Sequence, residues 1–285
     1  KNYTFGNSID GKLTINPRTV TLKSETASKE YDGTPLTKPD VTVTGDGFVA
    51  GEVSDIKATG SATLVDDGEV TNAITFTTGE KFNEDNYTIT KNEGKLSITQ
   101  RTDIIVITTP TRSRAYNGRK LLDYSCTYTG TIADGDELIM TFPEDDGLIN
   151  AGSKPNQYER YRVERKSDGR NVTNNYTFGE SIIGTLTVTP VAIELTAASD
   201  SKAYDGTPLT NSNYTITKGA FVDGEGLAAV TIAGSQTLVG ASANTITGHT
   251  LKDNTLAQNY TITYQPGELT VTQNEKAITI TANSH

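Results

Sequence analysis

The sequence predicts an all-β protein, built as a tandem array of small Ig-like β-sandwich domains. The first observation is alternation: apolar side chains occupy every second position over short runs, such as Tyr87 and Ile89 or Leu269 and Val271. That period places them on one face of a strand. The second observation is repetition, because the same motifs return three times in the same order. Several short strands with turns between them in each copy are typical of a sandwich.

Helical signals are confined to single turns. One turn is expected before each closing Asn-Tyr pair, as at Asn83-Glu84-Asp85 and again over residues 255–258. A β-grasp-like module, in which one short helix crosses a sheet, is therefore the alternative fold.

Each copy carries a Tyr-(Asp/Asn)-Gly motif. Asp-Gly and Asn-Gly favour tight turns, because Gly and Asn tolerate a positive φ. We predict structural turns, with each Tyr anchored at the edge of the core. The alternative, in which the Asp binds a metal ion or a sugar, is weakened because the middle copy has Asn. The motif residues are Tyr31, Asp32 and Gly33; Tyr116, Asn117 and Gly118; and Tyr204, Asp205 and Gly206.

A basic residue precedes each of these turns: Lys29, Arg114 and Lys202. A lysine there could form an internal amide cross-link, but an arginine cannot, so a cross-link shared by all three copies is excluded. A position along the strand surface is expected instead.

Two further blocks recur in step with the turns. A closing Asn-Tyr-Thr is followed by a Gly-rich bend and a last strand, which predicts a terminal hairpin. A middle block, seen at Thr63-Leu64-Val65 with Asn72 and at Thr237-Leu238-Val239 with Asn244, is interpreted as strand, turn and strand without chemistry. Its counterpart in the middle copy contains Ala151 and Asn156.

These motifs predict the domain boundaries. If a closing hairpin instead opened each folded unit, the boundaries would shift by about 17 residues. The predicted segments are residues 1–17, the closing hairpin of a preceding repeat; 18–100, the first repeat; 101–189, the divergent second repeat; 190–272, the third repeat; and 273–285, the first strand of a following repeat.

Composition restricts the partners. The net charge of −10 disfavours nucleic acid and anionic membrane surfaces, and no apolar stretch reaches the ~20 residues of a membrane span. Cys126 is the single cysteine and His249 has no counterpart in the other copies, so no nucleophilic catalytic arrangement is predicted and the chain is not expected to be an enzyme. No intrachain disulfide can form.

No cofactor is expected, with calcium as the alternative. Acidic turns such as Asp66-Asp67 and Asp134-Gly135-Asp136 offer oxygen ligands of the kind that calcium prefers. None of them has the ligand spacing of an EF-hand loop.

One strand of the second repeat differs in composition. Exposed arginine beside tyrosine is favoured at recognition surfaces, so this strand is the candidate site for a host glycan or an extracellular protein. The other interpretation is a solvated strand whose arginines pair with Glu159 and Glu164. The candidate residues are Arg160, Tyr161, Arg162 and Arg165.

The order of these motifs resembles the YDG and MBG-type tandem repeats of bacterial cell-surface, adhesin-like proteins. The resemblance covers essentially the whole chain, and the middle copy departs from it at Asn117 and at Arg119-Lys120, where the others have Thr-Pro. It implies β-rich modules on the surface of a Gram-positive bacterium, cell-wall anchored in the full-length protein. It transfers no catalytic residues.

Two functions are therefore predicted. The first is a non-catalytic stalk, a monomeric rod that projects a binding head from the cell. The second is an adhesive module centred on the second repeat.

Overall fold

A computed structural model describes residues 2–282, and the chain they form is all-β. The all-β class predicted from the alternation is confirmed. Within the described residues the helical segments are four single 3₁₀ turns. These residues therefore do not form the β-grasp alternative, which needs a helix that crosses a sheet. Lys1 and residues 283–285, the end of the predicted following strand, lie outside the described residues.

The first repeat contains ten strands. They are β1 (Arg18–Ser24), β2 (Ala27–Glu30), β3 (Leu36–Thr37), β4 (Val41–Gly45), β5 (Val53–Ala58), β6 (Ser61–Ala62), β7 (Val70–Asn72), β8 (Ile74–Thr78), β9 (Tyr87–Asn92) and β10 (Gly94–Thr99).

The second and third repeats vary this plan. The second has β11 (Ile104–Thr108), β12 (Arg112–Ala115), β13 (Thr127–Thr129), β14 (Asp136–Thr141), β15 (Gly152–Pro155), β16 (Arg160–Arg165), β17 (Thr177–Phe178) and β18 (Thr185–Thr189). The third has β19 (Val191–Ala197), β20 (Asp200–Ala203), β21 (Tyr214–Lys218), β22 (Leu227–Ala233), β23 (Gly240–Leu251), β24 (Tyr260–Gln265) and β25 (Gly267–Thr272).

Each repeat opens and closes with strands that pair in parallel. In the first, β1 pairs with β9 in the sheet β4-β1-β9, and β2 pairs with β10 in the sheet β2-β10-β7. The opening strand therefore leaves one sheet and enters another between β1 and β2. The same pairing joins β11 to β17 and β12 to β18, and later β19 to β24 and β20 to β25.

The core of the first repeat lies between facing sheets. Val20 and Leu22 of β1 pack with Ile74 of β8 and Tyr87 of β9, and all four are buried. Because β8 pairs with β5 in a sheet separate from β1, the apolar faces of two sheets meet, which is the packing of a sandwich.

A buried asparagine fixes the point where the opening strand changes sheets. The Asn72 side chain is fully buried and donates to the carbonyl oxygens of Glu25 at 3.2 Å and Lys38 at 2.9 Å. Asn156 and Asn244 make the same kind of bond, to the carbonyl oxygens of Pro110 at 3.1 Å and Ala198 at 2.9 Å. Because each asparagine is itself buried and its amide group needs a partner there, these bonds hold the bend in all three repeats.

Three of the four helical turns in the described residues fall where the sequence predicts them. They span Glu84–Asn86, Thr173–Asn175 and Ala257–Asn259, each directly before the closing Tyr. A fourth turn, Val65–Asp67, lies in the middle block of the first repeat.

The described chain divides into two compact units whose limits differ from those of the repeats. One contains residues 2–107, 127–141 and 160–181, and the other contains 108–126, 142–159 and 182–282. The first unit thus joins the first repeat to one part of the second, and the other joins the rest of the second repeat to the third. Residues 2–17 and 273–282 contain no strand.

Candidate functional site

Each Tyr-(Asp/Asn)-Gly motif forms a local turn held by its own Asp or Asn. The Asp32 Oδ1 atom accepts from the backbone N–H of Thr34 at 2.8 Å and from its hydroxyl at 2.7 Å. Asp205 binds Thr207 in the same way, at 2.9 and 2.8 Å. Gly33 follows with φ +84, in the left-handed region that favours glycine.

The basic residue before the turn completes it. Lys29 Nζ lies 2.7 Å from Asp32 Oδ1, and this bond together with the Thr34 donors lowers the pKa of Asp32 to about 2. Lys202 lies 2.8 Å from Asp205 and lowers the pKa of that carboxyl. In the middle copy Arg114 donates to the carbonyl oxygen of Arg119. The carboxylates therefore have their donors within the turn itself.

The tyrosine of the first turn is a contact between repeats. Tyr31 is 1% exposed, and its ring packs edge to face on Tyr176 with centroids 5.6 Å apart. Its hydroxyl donates to Asp136 Oδ2 at 2.8 Å, and the Tyr176 hydroxyl donates to the same oxygen at 2.7 Å. The turn tyrosine of the first repeat and the closing tyrosine of the second thus share one buried carboxylate. We call Tyr31, Tyr176 and Asp136 the first junction.

The same arrangement joins the second repeat to the third. Tyr116 and Tyr260 pack edge to face with centroids 5.7 Å apart. Their hydroxyls donate to the two oxygens of Glu225 at 2.5 and 2.7 Å. We call Tyr116, Tyr260 and Glu225 the second junction. Glu225 takes the place that Asp136 has in the first junction, and each tyrosine hydroxyl binds a different oxygen of its carboxylate.

The environment of the junctions keeps the tyrosines protonated. Burial, and then the hydrogen bond to Asp136, raise the pKa of Tyr31 to about 12. Burial and the neighbouring carboxylate also raise the pKa of Tyr176, Tyr116 and Tyr260. Because ionisation would place a second negative charge beside the first, these hydroxyls act as neutral donors over the whole physiological range.

An asparagine reinforces each junction. Asn175 Oδ1 accepts from the backbone N–H of Val65 at 2.8 Å, and Asn259 Oδ1 accepts from that of Ala151 at 2.8 Å. Both asparagines are 1% exposed. The closing Asn-Tyr pair therefore binds the preceding repeat through both of its side chains.

The links between repeats are short. β10 ends at Thr99 and β11 begins at Ile104, while β18 ends at Thr189 and β19 begins at Val191. In the longer link, Arg101 donates to the carbonyl oxygen of Tyr31 at 3.1 Å and to the Thr131 hydroxyl at 2.6 Å.

The junction carboxylates were not among the predicted structural residues. The sequence offers Asp136 as part of an acidic turn that could bind calcium, but in the structure its Oδ2 atom accepts from the two tyrosine hydroxyls. The sequence signal is weak: Gly51-Glu52, Gly135-Asp136 and Gly224-Glu225 lie at matching places in the three copies and each glycine has a positive φ, but the same is true of other pairs such as Gly45-Asp46. Across residues 2–282, no group of three or more His, Cys, Asp or Glu side chains is placed to hold a metal ion.

The candidate ligand-binding residues lie on β16 in different surroundings. Arg160 is exposed, and the half-buried Tyr161 ring lies 4.4 Å from that of Phe178. Arg162 Nε lies 2.6 Å from Glu164 Oε1, the charge pair of the alternative interpretation. Arg165 lies beside the first junction and pairs with Asp168 at 3.5 Å.

Comparison with known proteins gives no family. No family model matches the chain, and no curated protein matches it. The resemblance to YDG and MBG-type repeats therefore stays a prediction. In the described part of the chain, no helix has the length and apolar character needed to cross a membrane.

Two solved structures of Ig domains align with the chain at low similarity. The N-terminal four Ig domains of Dscam1 isoform 9.44 align at 9% identity and a TM-score of 0.18, over 92% of this chain and 74% of that one. Those of isoform 4.44 align at 10% identity and a TM-score of 0.15, over 88% and 74%. Scores this low do not establish a shared arrangement, and the all-β class rests on the strands themselves.

Proposed function

We propose that this chain is a non-catalytic structural stalk of a bacterial surface adhesin, which projects a binding head from the cell. The observation that supports it is the repeated junction. Each time one repeat follows another, a turn tyrosine, a closing tyrosine and a carboxylate meet in the same geometry.

Such a junction resists bending between neighbouring repeats. A hydrogen bond to a charged group is worth about 1.5–3 kcal/mol, and an edge-to-face ring pair adds about 0.5–1.5 kcal/mol. Bending would separate these groups and expose them to water. The link between the second and third repeats is also short, because Pro190 is the only residue between Thr189 and Val191. A stalk needs this resistance at each successive joint.

The distribution of shared residues also supports a structural role. The three copies share the Asx-type turn, the buried asparagine of the sheet change, and the tyrosine bound to a Gly-Asp or Gly-Glu carboxylate. Cys126 and His249, the residues best suited to other chemistry, have no counterparts. A cell-wall location in a Gram-positive bacterium is part of the proposal and rests on the sequence resemblance and on the absence of disulfides.

The test is small-angle X-ray scattering of the chain at low concentration. We expect an extended particle, and we expect Tyr116→Ala to broaden its distance distribution because the second junction is loosened. Tyr214→Ala, at an exposed tyrosine of the third repeat, is the matched control and leaves the distribution unchanged. A compact particle would overturn the stalk.

The adhesive alternative has one favourable observation, the exposed Arg160 in a strand sequence peculiar to the second repeat. We place it second because Arg162 and Arg165 pair with neighbouring carboxylates. A glycan array with the Arg160→Ala, Arg162→Ala double variant tests it. Binding by the wild-type chain that the variant loses would favour this function, and a silent array would count against it.

A further inference from the structure

The opening and closing strands of each repeat run side by side in the same direction. In the first repeat, β1 pairs in parallel with β9 over six residues of each strand, beginning with Arg18 opposite Tyr87. β2 and β10 continue the parallel pairing over four residues, ending with Glu30 opposite Thr99. The chain therefore enters the repeat at one end of these paired strands and leaves it at the other end. We call this pairing of opening and closing strands the parallel ladder of the repeat.

This arrangement decides how a repeat responds to tension along the chain. A pull from both sides draws the opening strand toward its N-terminal end and the closing strand toward its C-terminal end. The two strands are then sheared past each other, so the evenly spaced hydrogen bonds between them are loaded together and not one after another. The force that a parallel ladder bears therefore grows with the number of residues that it pairs.

The three repeats differ in the first part of the parallel ladder. The third repeat matches the first, because β19 pairs with β24 over six residues and β20 with β25 over four. In the second repeat β11 pairs with β17 over two residues, starting with Ile104 opposite Thr177, whereas β12 pairs with β18 over four. An isolated bridge between Thr108 and Ile182 follows the two-residue pairing. The second repeat thus has the shortest parallel ladder of the three.

A glycine interrupts the ladder of the second repeat. Gly179 holds the place of Thr90 in the first repeat and of Thr263 in the third, and both threonines lie inside strands. Glycine weakens a strand because it has the most freedom in the unfolded chain and no side chain to pack. A Cβ atom at position 179 would also lie 2.9 Å from Ile104 Cγ2 and 3.1 Å from Val106 Cγ2, so a larger residue has little room. The short ladder is therefore a consequence of the sequence of this repeat.

We propose that the chain bears tension along its length and that the second repeat is the one that unfolds first. The first and third repeats hold through their longer parallel ladders, while the second opens at a lower force and lengthens the chain. This load-bearing role rests on the proposed stalk, because a stalk held at one end and bound at the other transmits a pull through every repeat. Unfolding forces and particle shape are separate measurements, so either can fail without the other.

The test is single-molecule stretching of the whole chain between handles at its two termini, since forced unfolding reports the resistance of each repeat. A disulfide marks one repeat by length, because the residues that it encloses cannot extend. Every marked chain carries Cys126→Ser. Thr141→Cys with Arg160→Cys marks the second repeat at paired positions of β14 and β16, and Ser54→Cys with Thr77→Cys marks the first at paired positions of β5 and β8. Both marks lie outside the parallel ladders.

The marks identify which repeat unfolds at the lowest force. An extended residue spans ~3.3–3.6 Å, so the mark shortens the release of the second repeat by about 65 Å and that of the first by about 80 Å. We expect the event at the lowest force to be the shortened one when the second repeat is marked, and to have full length when the first is marked. A shortened event that occurs at random in the order, or a first event from the first or third repeat, would overturn the proposal.

An exchange to glycine tests whether the parallel ladder is the cause. Thr90→Gly gives the exposed middle of β9 the residue that interrupts the second repeat, and we expect the marked first repeat to unfold at a clearly lower force. Thr42→Gly is the matched control, at an exposed position of β4 in the same sheet, because β4 pairs with β1 in the antiparallel sense and lies outside the ladder. It should lower the force much less. Equal losses of force in the two variants would contradict the role of the parallel ladder.

Discussion

Tyr31 and Tyr204 occupy the same turn in the same sequence context, yet one is 1% exposed and the other 39% exposed. Their turns are alike in detail: each Asp accepts from a Thr two residues later and from a Lys three residues earlier. The difference lies in what covers the ring. Tyr31 is covered by Tyr176 and bound by Asp136, both from the following repeat.

The comparison separates two roles in one motif. The Asp-Gly part closes the turn and depends on residues within a few positions of it. The Tyr depends on a partner 105 residues away in the first junction. A substitution in the turn should therefore act alike in every repeat, whereas a substitution of the tyrosine should act only where a junction is closed.

The largest expected effect comes from removing the shared carboxylate. Asp136→Ala leaves the Tyr31 and Tyr176 hydroxyls buried without an acceptor, and at about 1–3 kcal/mol for each we expect a loss of about 2–6 kcal/mol in the free energy of unfolding. Urea denaturation followed by circular dichroism measures it. Glu52→Ala, which affects one hydroxyl, should cost clearly less, and equal losses would break the comparison.

A smaller difference in stability is expected between substitutions of Asn175 and Asn86. Asn175→Ala removes the acceptor for the half-buried Val65 N–H, which should cost about 1–3 kcal/mol. Asn86→Ala, at the exposed counterpart, should change stability by no more than about 0.5 kcal/mol. The same urea titration compares them, and a costly Asn86→Ala would contradict the exposed position of Asn86.

Alkaline pH should weaken the closed junctions. The pKa of Tyr31 rises from its usual 10.0 to about 12 in the folded chain, so the fold favours the neutral hydroxyl. The contribution of the Tyr31 hydroxyl to the free energy of unfolding is fully present below pH 10. It declines above that pH because the tyrosine ionises first in the unfolded chain, and it is lost above pH 12. Allowing for solvent screening near the hydroxyl, we expect the free energy of unfolding to fall by about 1–2 kcal/mol over this pH range.

Urea midpoints measured between pH 9 and 12 test this dependence. Tyr31→Phe should lose less stability over that interval than the wild type does, because it has one ionising hydroxyl fewer in the junction. Tyr204→Phe should follow the wild-type curve, and a Tyr31→Phe curve that also coincides with the wild type would contradict the assignment.

The smallest effect is expected in the turn itself. Asp32→Asn removes an exposed ion pair with Lys29, worth about 0–1 kcal/mol, and keeps an oxygen for the Thr34 N–H, as Asn117 does for Arg119. The folded chain lowers the pKa of Asp32 from its usual 3.8 to about 2. The stability that the ionised carboxylate adds is therefore present above pH 3.8 and is lost as the pH falls toward 2. Acid denaturation of Asp32→Asn and Asp205→Asn should give the same small change in both repeats.

The features predicted from the sequence are those set by nearby residues. Alternation such as Leu269 and Val271 gives a strand face, Asp32-Gly33 gives a turn, and the polar residues before Asn86 give one helical turn. Each depends on backbone preferences and on hydrogen bonds that span a few positions. The all-β class follows from them because no segment has the period of a long helix.

The junctions could not be predicted in the same way, because their partners are more than 100 residues apart in the chain. The local motifs predict Tyr31 at a core edge, and they predict only strand and turn for the block around Asn72. Asn72 in fact fixes the change of sheet, and Gly-Asp or Gly-Glu supplies the junction carboxylate. The carboxylate lies 20 or 21 residues after the turn tyrosine of its own copy, but other Gly-Asp and Gly-Glu pairs occur in the chain and nothing local links Asp136 to Tyr31.

The most direct measurement of the central claim is the same substitution at all three turns. Tyr31→Phe, Tyr116→Phe and Tyr204→Phe each remove one hydroxyl and keep the ring. Because a hydrogen bond to a carboxylate is worth about 1.5–3 kcal/mol, we expect urea denaturation to show losses of that size for the first two variants and no more than about 0.5 kcal/mol for the third. Equal costs at all three turns, or no cost at any, would contradict the assignment of these tyrosines to junctions between repeats.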